Sequence, residues 1–353
     1  MIKSVNAYAA ASATAPLAPH PITRRLPRPD DVEIDIFYCG VCHSDLHTAR
    51  NDWGWTCYPI VPGHEIIGRV VAIGSQVSRF KVGDRVGVGC MVDACGHCEA
   101  CEEGHEQHCS ETATYTYGAP DRIDGSLTQG GYSEKVVVKE GFVVRIPDNL
   151  ALQGAAPLLC AGITTWSPLK NADIGPGSRV AVVGLGGLGH MAIKLAKAMG
   201  AEVTLFTRSP GKEEDAHRLG ADRVVISTDA AQMAQVAGHF HLIVDTVPYV
   251  HDLNAYIPTL RFKGSLVLVG YLGPLEPALD SMPMVIGGKA VAASMIGGMA
   301  ATQEMLDFCG QHDIVSDVEV IAMQDINDAY ERMLKSDVKY RFVIDMASLK
   351  VEA

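Results

Sequence analysis

From Val32 to Tyr38 apolar side chains recur at every second position (Val32, Ile34, Ile36, Tyr38), the period of a strand with one buried face. Ile66 to Ile73, Arg85 to Val88 and Tyr132 to Val138 are similar short runs punctuated by glycine. The first 150 or so residues therefore predict an irregular, β-rich domain whose loops carry cysteines. Between Pro147 and Pro168 the texture turns Ala/Leu-rich and helix-prone, and strand-like and helix-like segments then alternate. Strands are expected at Arg179 to Val183, Glu202 to Phe206, Arg223 to Ile226, His241 to Asp245 and Leu266 to Val269. Helices are expected at Leu188 to Met199 and Lys212 to Leu219. That rhythm is the signature of a parallel sheet covered by helices. A helix from about Thr302 to Cys309 and a strand from Tyr340 to Ile344 follow.

Composition narrows the class. The 353 residues allow two or three domains, and 48% hydrophobic with 20% charged residues is ordinary for a folded protein. Lys plus Arg number 29 against 41 Asp plus Glu, a net charge of −12 and the wrong sign for phosphate backbones or anionic lipid. Met1 to Pro29 lacks the sustained apolar stretch of a signal peptide, and Met284 to Ala300 is interrupted by Lys289 and four glycines. The expectation is a cytoplasmic protein with neither nucleic-acid nor membrane partners.

Ten cysteines in a reducing compartment call for a use other than disulfides. Cys95-x-x-Cys98-x-x-Cys101 followed by Cys109 offers four thiolates on one loop, enough to close a tetrahedral structural zinc site. An iron–sulfur cluster or unpaired thiols are the alternatives, and His97, His105 and His108 inside the lobe read as surface residues. A second set is dispersed: Cys42 in Cys39-Gly-Val-Cys42-His43-Ser44-Asp45, His64 in Gly63-His64-Glu65, and Cys160. One imidazole and two thiolates suit a catalytic zinc, with a fourth position for water, substrate or the Glu65 carboxylate. Each taken singly also reads as a buried structural residue, and spacing alone does not bring them together.

Arg179-Val-Ala-Val-Val runs into Gly184-Leu-Gly186-Gly187-Leu188-Gly189 and then into an amphipathic helix, the fingerprint of a dinucleotide fold. The carboxylate expected about 20 residues on, for the ribose hydroxyls of NAD, is missing. Thr207-Arg208-Ser209 with Lys212 stands there instead, hydroxyls and positive charge where the 2′-phosphate of NADP would sit. The other reading of Arg208 and Lys212 is as solvated surface charges.

At these motifs the chain resembles the zinc-dependent medium-chain alcohol dehydrogenases, and within them the cinnamyl alcohol dehydrogenase group with its bacterial NADP-dependent broad-specificity aldehyde reductases. The stretches that carry the resemblance include Tyr38 to His47, Val61 to Ile66, Gly130 to Ser133, Pro157 to Thr164, the four-cysteine lobe, the glycine fingerprint and Lys339 to Asp345. It implies an α/β protein: a GroES-like β-rich catalytic domain over residues 1–153, a Rossmann domain over 154–295 and a C-terminal return to the catalytic domain over 296–353. It implies two zinc ions, a catalytic one on Cys42, His64 and Cys160 with Glu65 exchangeable and Asp45 orienting His64, and a structural one on the lobe.

By the same matching Ser44 touches the reacting oxygen and His47 relays its proton through the cofactor ribose. Thr164, Val269, Ser294 and Ile296 join the fingerprint residues in holding NADP(H), and Trp53, Trp55 and Met295 are candidates for the substrate pocket or for plain core. The expected activity is reversible hydride transfer between NADP(H) and primary alcohols or aldehydes, in a homodimer. His43 replaces a basic residue of the best-studied relatives. The rivals are an NAD-linked polyol dehydrogenase, a zinc-free quinone reductase and a zinc-stabilised binding protein without chemistry.

Overall fold

The strand Asp31–Val41 organises the β-rich part of the protein because it pairs on both sides. Along it Val32, Ile34 and Ile36 are buried as the alternation predicts, whereas Tyr38 is half-buried and Asp31 and Glu33 are covered too, and the register shifts against Ile66–Ile73 between Glu33 and Ile34 and between Ile36 and Tyr38. The computed structural model describes residues 3–270 and 273–350. In it the sheet runs Val144–Arg145, Arg85–Val88, Ile66–Ile73, Asp31–Val41, Arg341–Asp345, Val318–Ala322, with Lys135–Lys139 also paired to Asp31–Val41. All of these pairs are antiparallel except Val318–Ala322 with Arg341–Asp345.

The chain divides into two compact units, residues 1–160 with 297–353, and residues 161–296. Residues 154–160, assigned from sequence to the second domain, cluster with the first. Ser316 N–H donates to Gly154 O at 2.9 Å, and Leu159 is buried in the first unit with its carbonyl 3.9 Å from Cys90 Sγ. The expected strand from Tyr132 begins only at Lys135, because the backbone of Gly130, Gly131 and Tyr132 donates to Val61, Gly63 and Pro62 rather than to a ladder. The strand Val318–Ala322 and the helix Ile326–Leu334 had not been read from sequence.

The second unit is a six-stranded sheet in the order Arg223–Ile226, Glu202–Thr207, Arg179–Val183, Phe240–Asp245, Leu260–Leu268, Ala290–Ala293, parallel throughout. The first four strands in chain order follow the sequence expectation closely, since buried parallel strands read as continuous Val/Ile/Leu runs, whereas Leu260–Leu268 begins six residues earlier than expected and Ala290–Ala293 is an addition. Phe206 packs edge-on against Phe240 at 5.3 Å in a core that also holds Val183, Val225, Ile243 and Leu266. The register pairs Val183 with Phe206 and with Asp245, Asp245 with Leu268, and Leu268 with Ala293. The strands therefore end level, and Gly184, Thr207, Thr246, Val269 and Ser294 line one carboxyl edge.

Candidate active site

Strand register explains why distant residues meet in the first unit. Cys39 pairs with Ile66, so Cys42, just past the end of one strand, and His64 and Glu65, just before the start of the other, come to the same end of the pair. Phe342 pairs with Val41, which brings Arg341 to that end as well. The short helix Ala156–Leu159 delivers Cys160. The ligand atoms of Cys42, His64, Glu65 and Cys160 all lie within 4.8 Å of one another, and all four residues are buried. Cys42 Sγ and Cys160 Sγ are 4.0 Å apart, close to the roughly 3.8 Å edge of a tetrahedron with 2.3 Å zinc–sulfur bonds.

Around this centre the polar groups are arranged to hold it. Asp45, completely buried in the helix His43–Ala49, accepts hydrogen bonds from Cys42 N–H and Gly63 N–H at 2.9 Å and from Tyr132 Oη at 3.3 Å. Its Oδ1 is also 3.1 Å from His64 Nδ1. Tyr117 Oη stands 3.1 Å from the same nitrogen, so Nε2 is left for a metal, the usual arrangement of a carboxylate-oriented ligand imidazole. The Cys42 thiol lies well below its ordinary range, through its hydrogen bond with Cys160 and the positive charge of Arg341. Burial raises the Glu65 carboxyl to about 8 against the opposing pull of Arg341. Arg341 donates to Glu65 Oε1, while Oε2 is buried without a hydrogen-bond partner, an acceptor left for a cation. A Cβ on Gly40 would overlap that oxygen, so the carboxylate requires a glycine there.

Ser44 Oγ is 3.8 Å from Cys42 Sγ. His47, one turn further along the helix, has Nδ1 2.7 Å from Asp52 Oδ2 and its ring 5.5 Å from Trp53, which stacks on the exposed Trp55. His43 is half-buried, and burial lowers its pKa. Cys90 lies beside the centre, and the neighbouring Cys160 thiol lowers its pKa.

The lobe is a different kind of site. The sulfurs of Cys95, Cys98, Cys101 and Cys109 lie within 4.8 Å of one another, with 3.9 Å between Cys95 and Cys101. Backbone N–H groups of His97 and Ser110 donate to Cys95 Sγ and Cys98 Sγ at 3.5 Å. The backbone of Ser110 first, and then that of Cys101, pulls the Cys98 thiol down to about 5. Four sulfurs with backbone donors fit a zinc ion with no open position. His97 is paired with Glu111 at the surface and His108 is exposed, in keeping with the surface reading.

In the second unit Gly184 has φ +89°, and a Cβ on Gly189 would collide with the Gly184 carbonyl, so both positions of the fingerprint demand glycine. A Cβ on Gly186 would meet nothing, which leaves that face of the turn open before the helix Gly189–Ala198, whose first N–H groups suit a phosphate. Gly187 and Leu188 complete the turn. Thr207 ends its strand buried, and its Oγ1 accepts from Ser209 N–H at 3.1 Å. Arg208 is exposed and Lys212 half-buried, and neither side chain has a hydrogen bond or ion pair among the described residues. Val269 N–H bonds to Asp245 O, Ser294 N–H to Leu268 O, and the Ile296 carbonyl accepts from Ser167 Oγ at 2.6 Å. Thr164 is buried in the helix Ala161–Asn171, and Met295 is partly exposed in the same unit.

Sequence reasoning gave no role to Tyr117, Asp52, Cys90 or Arg341. Arg341 sits within a stretch that carries the family resemblance, and an arginine in the apolar run Arg341-Phe-Val-Ile was the available signal. The other three act through side-chain contacts that spacing does not encode.

A buried thiolate–imidazole centre in one unit and a nucleotide-type sheet edge in the other are the parts of a metal-assisted dehydrogenase. Residues 28–148 match the alcohol dehydrogenase GroES-like domain, and residues 187–311 match the zinc-binding dehydrogenase domain. The chain belongs to the zinc-binding, medium-chain alcohol dehydrogenase family. It is 53% identical over 351 residues to NADP-dependent alcohol dehydrogenase C 1 of Mycolicibacterium smegmatis, covering 99% of this chain and 100% of the relative. It is 53% identical over 350 residues to the aldehyde reductase YahK of Escherichia coli, with 99% of each chain covered. The solved structure of a cinnamyl alcohol dehydrogenase, SbCAD4 from Sorghum bicolor, superposes with a TM-score of 0.95 at 46% identity, covering 99% of this chain and 100% of that one.

Proposed function

We propose that the protein is a zinc-dependent oxidoreductase that transfers hydride between NADP(H) and primary alcohols or aldehydes, working chiefly as a reductase of aliphatic and aromatic aldehydes. The observation that carries this reading is the buried group of Cys42, His64 and Cys160, with Asp45 on the imidazole and an unpartnered Glu65 oxygen beside it. When bound, the metal polarises the substrate carbonyl and the nicotinamide supplies hydride to its carbon. The chain's own residues then deal with the proton. Ser44 Oγ, next to Cys42, donates to the substrate oxygen. His47, three residues on and so on the same helix face, restores that proton from Nε2, while Asp52 at 2.7 Å fixes its Nδ1. Asp45 and Tyr117 keep His64 oriented, and Arg341 holds Glu65 by one oxygen while the other is left for a cation.

NADP(H) is favoured over NAD(H) by the unpaired Arg208 and Lys212 beside Thr207 and Ser209, and by the NADP dependence of the mycobacterial relative. An Arg contact to the 2′-phosphate contributes about 1.5–3 kcal/mol, roughly a tenfold to 150-fold preference. Arg208→Asp is expected to raise the KM for NADPH strongly and improve use of NADH; an unchanged NADPH-to-NADH ratio would assign Arg208 to the solvated surface.

A homodimer is supported by the strand Ala290–Ala293, outermost in its sheet among the described residues, and by the preceding helix Ser281–Gly287, on which Met282, Val285 and Ile286 are exposed. Such an apolar edge invites pairing with a second copy. A cytoplasmic location is supported by ten cysteines, all free; no helix among the described residues is long and apolar enough to cross a membrane.

A rate panel of butanal, benzaldehyde and cinnamaldehyde against sorbitol and mannitol, with both cofactors, tests the proposal. Aldehyde reduction with NADPH is expected to dominate. Sorbitol or mannitol turned over faster than benzyl alcohol would instead support a polyol dehydrogenase.

A further inference from the structure

One His–Asp pair in the second unit, with the carboxylate buried and the imidazole partly exposed, has no part in the chemistry above. Asp245 ends the strand Phe240–Asp245, adjacent to Arg179–Val183 and its glycine turn, and is completely buried. Its Oδ1 accepts from Val247 N–H at 3.0 Å, and its Oδ2 lies 2.9 Å from His251 Nε2. The other ring nitrogen, His251 Nδ1, is 2.7 Å from the Tyr249 carbonyl oxygen.

A carbonyl and a carboxylate only accept hydrogen bonds, so satisfying both contacts requires a proton on each ring nitrogen. The geometry is that of an imidazolium. The groups that act on the ring are Asp245 from the strand end, the Tyr249 carbonyl from its own loop, Tyr256 edge-on at 6.1 Å, and the charge of Arg208, which follows the strand Glu202–Thr207 on the far side of Arg179–Val183. Asp252 acts on the same surroundings through Tyr256. The hydrogen bond to Asp245 raises the pKa of His251, with burial and the Arg208 charge opposing it. His251 is partly exposed, so its charge is open to a ligand at the carboxyl edge. That edge, on the strands flanking the glycine turn, is where a doubly wound sheet takes its dinucleotide.

We propose that His251, clamped as an imidazolium by Asp245 and the Tyr249 carbonyl, is a further cation of the NADP 2′-phosphate site beside Arg208, and that it makes recognition of that phosphate weaken as pH rises. This rests on the NADP reading above. The charge is present below the raised pKa of His251 and is lost as pH climbs through it, above the ordinary histidine value of about 6.5. The 2′-phosphate completes its own second ionisation near about pH 6, below that window, so it does not mimic the effect.

Calorimetric binding of adenosine 2′,5′-bisphosphate and of 5′-AMP, from about pH 7 to about pH 9, tests this on the full chain, His251→Gln and His251→Lys. His251→Gln, which still donates to Asp245, is expected to bind the bisphosphate about threefold to tenfold more weakly at the lower pH, with 5′-AMP unchanged. His251→Lys is expected to retain the bisphosphate affinity and to lose the fall between the two pH limits. Equal weakening of both ligands by His251→Gln, or no weakening, overturns the proposal. Should that variant not fold, a bisphosphate affinity of the native chain that stays level across the window overturns it as well. A native chain that binds 5′-AMP as tightly as the bisphosphate refutes the NADP reading itself, whereas a native preference for the bisphosphate that survives in His251→Gln refutes only the role of His251.

Discussion

The two thiol centres of this protein share a metal-binding chemistry and differ in everything that surrounds it. The lobe takes Cys95, Cys98, Cys101 and Cys109 from one stretch of fifteen residues, supplies four sulfurs and stabilises them with backbone N–H groups of the same loop. The Cys42–His64–Cys160 centre is assembled from three remote segments by strand register, is buried, and is enclosed by ionisable neighbours: Asp45, Glu65, Tyr117 and Arg341. A local, all-sulfur set has no place for a reactant and serves folding. A dispersed set of two thiols and an oriented imidazole, with a carboxylate oxygen left without a partner beside it, would leave a metal a position for a reactant and suits chemistry.

The largest expected effect separates the two directly. His64→Ala or Cys42→Ser should abolish turnover with little change in melting temperature, whereas Cys98→Ser or Cys101→Ser should lower the melting temperature sharply, because the structural metal contributes folding free energy. Thermal unfolding beside aldehyde-dependent NADPH consumption checks both. If His64→Ala melted as low as Cys98→Ser, the division of roles would collapse.

Next in size is the proton relay. His47→Gln should lower turnover by up to about 100-fold, the typical loss for a general acid–base group, while leaving both zinc ions in place. Asp52→Asn should act in the same direction through the orientation of His47, with a smaller loss. Zinc lost from His47→Gln would make His47 a ligand instead.

How far all this was legible from sequence follows the same division. The lobe and the Gly184–Gly189 turn are contiguous, and their spacing states their geometry. The parallel strands from Arg179 to Asp245 were equally readable, because strands buried on both faces are uninterrupted apolar runs. Cys160 is different: it joins Cys42 across 118 residues, and donor chemistry made it a candidate partner that spacing alone does not bring to the site. Arg341 left only the signal of a charge in an apolar run, and Tyr117 and the Asp245–His251 pair left none, since each acts through a side chain brought up by register or by a loop. The boundary near residue 160 was misplaced because the sequence of Leu152–Leu159 is helix-prone like the unit that follows, although it is buried against the unit before.

A smaller effect sharpens the contrast between the centres. Asp45→Asn keeps the shape of the residue but weakens its acceptor role toward Cys42, Gly63, Tyr132 and His64. It should reduce zinc affinity at the catalytic centre by about 10–100-fold and leave the lobe ion untouched. Graded chelation followed by metal analysis reads this: one ion should leave the variant at chelator concentrations that the native chain withstands. Simultaneous loss of both ions would show the centres to be coupled rather than independent.

The most direct test of two centres with separate duties is the zinc content of freshly purified, active protein, measured by native mass spectrometry on the intact chain and on Cys160→Ser. Two zinc ions per native chain are expected, with one retained by an inactive Cys160→Ser chain that melts as the native one does. A native chain that reduces aldehydes while holding one zinc ion or none would contradict the account.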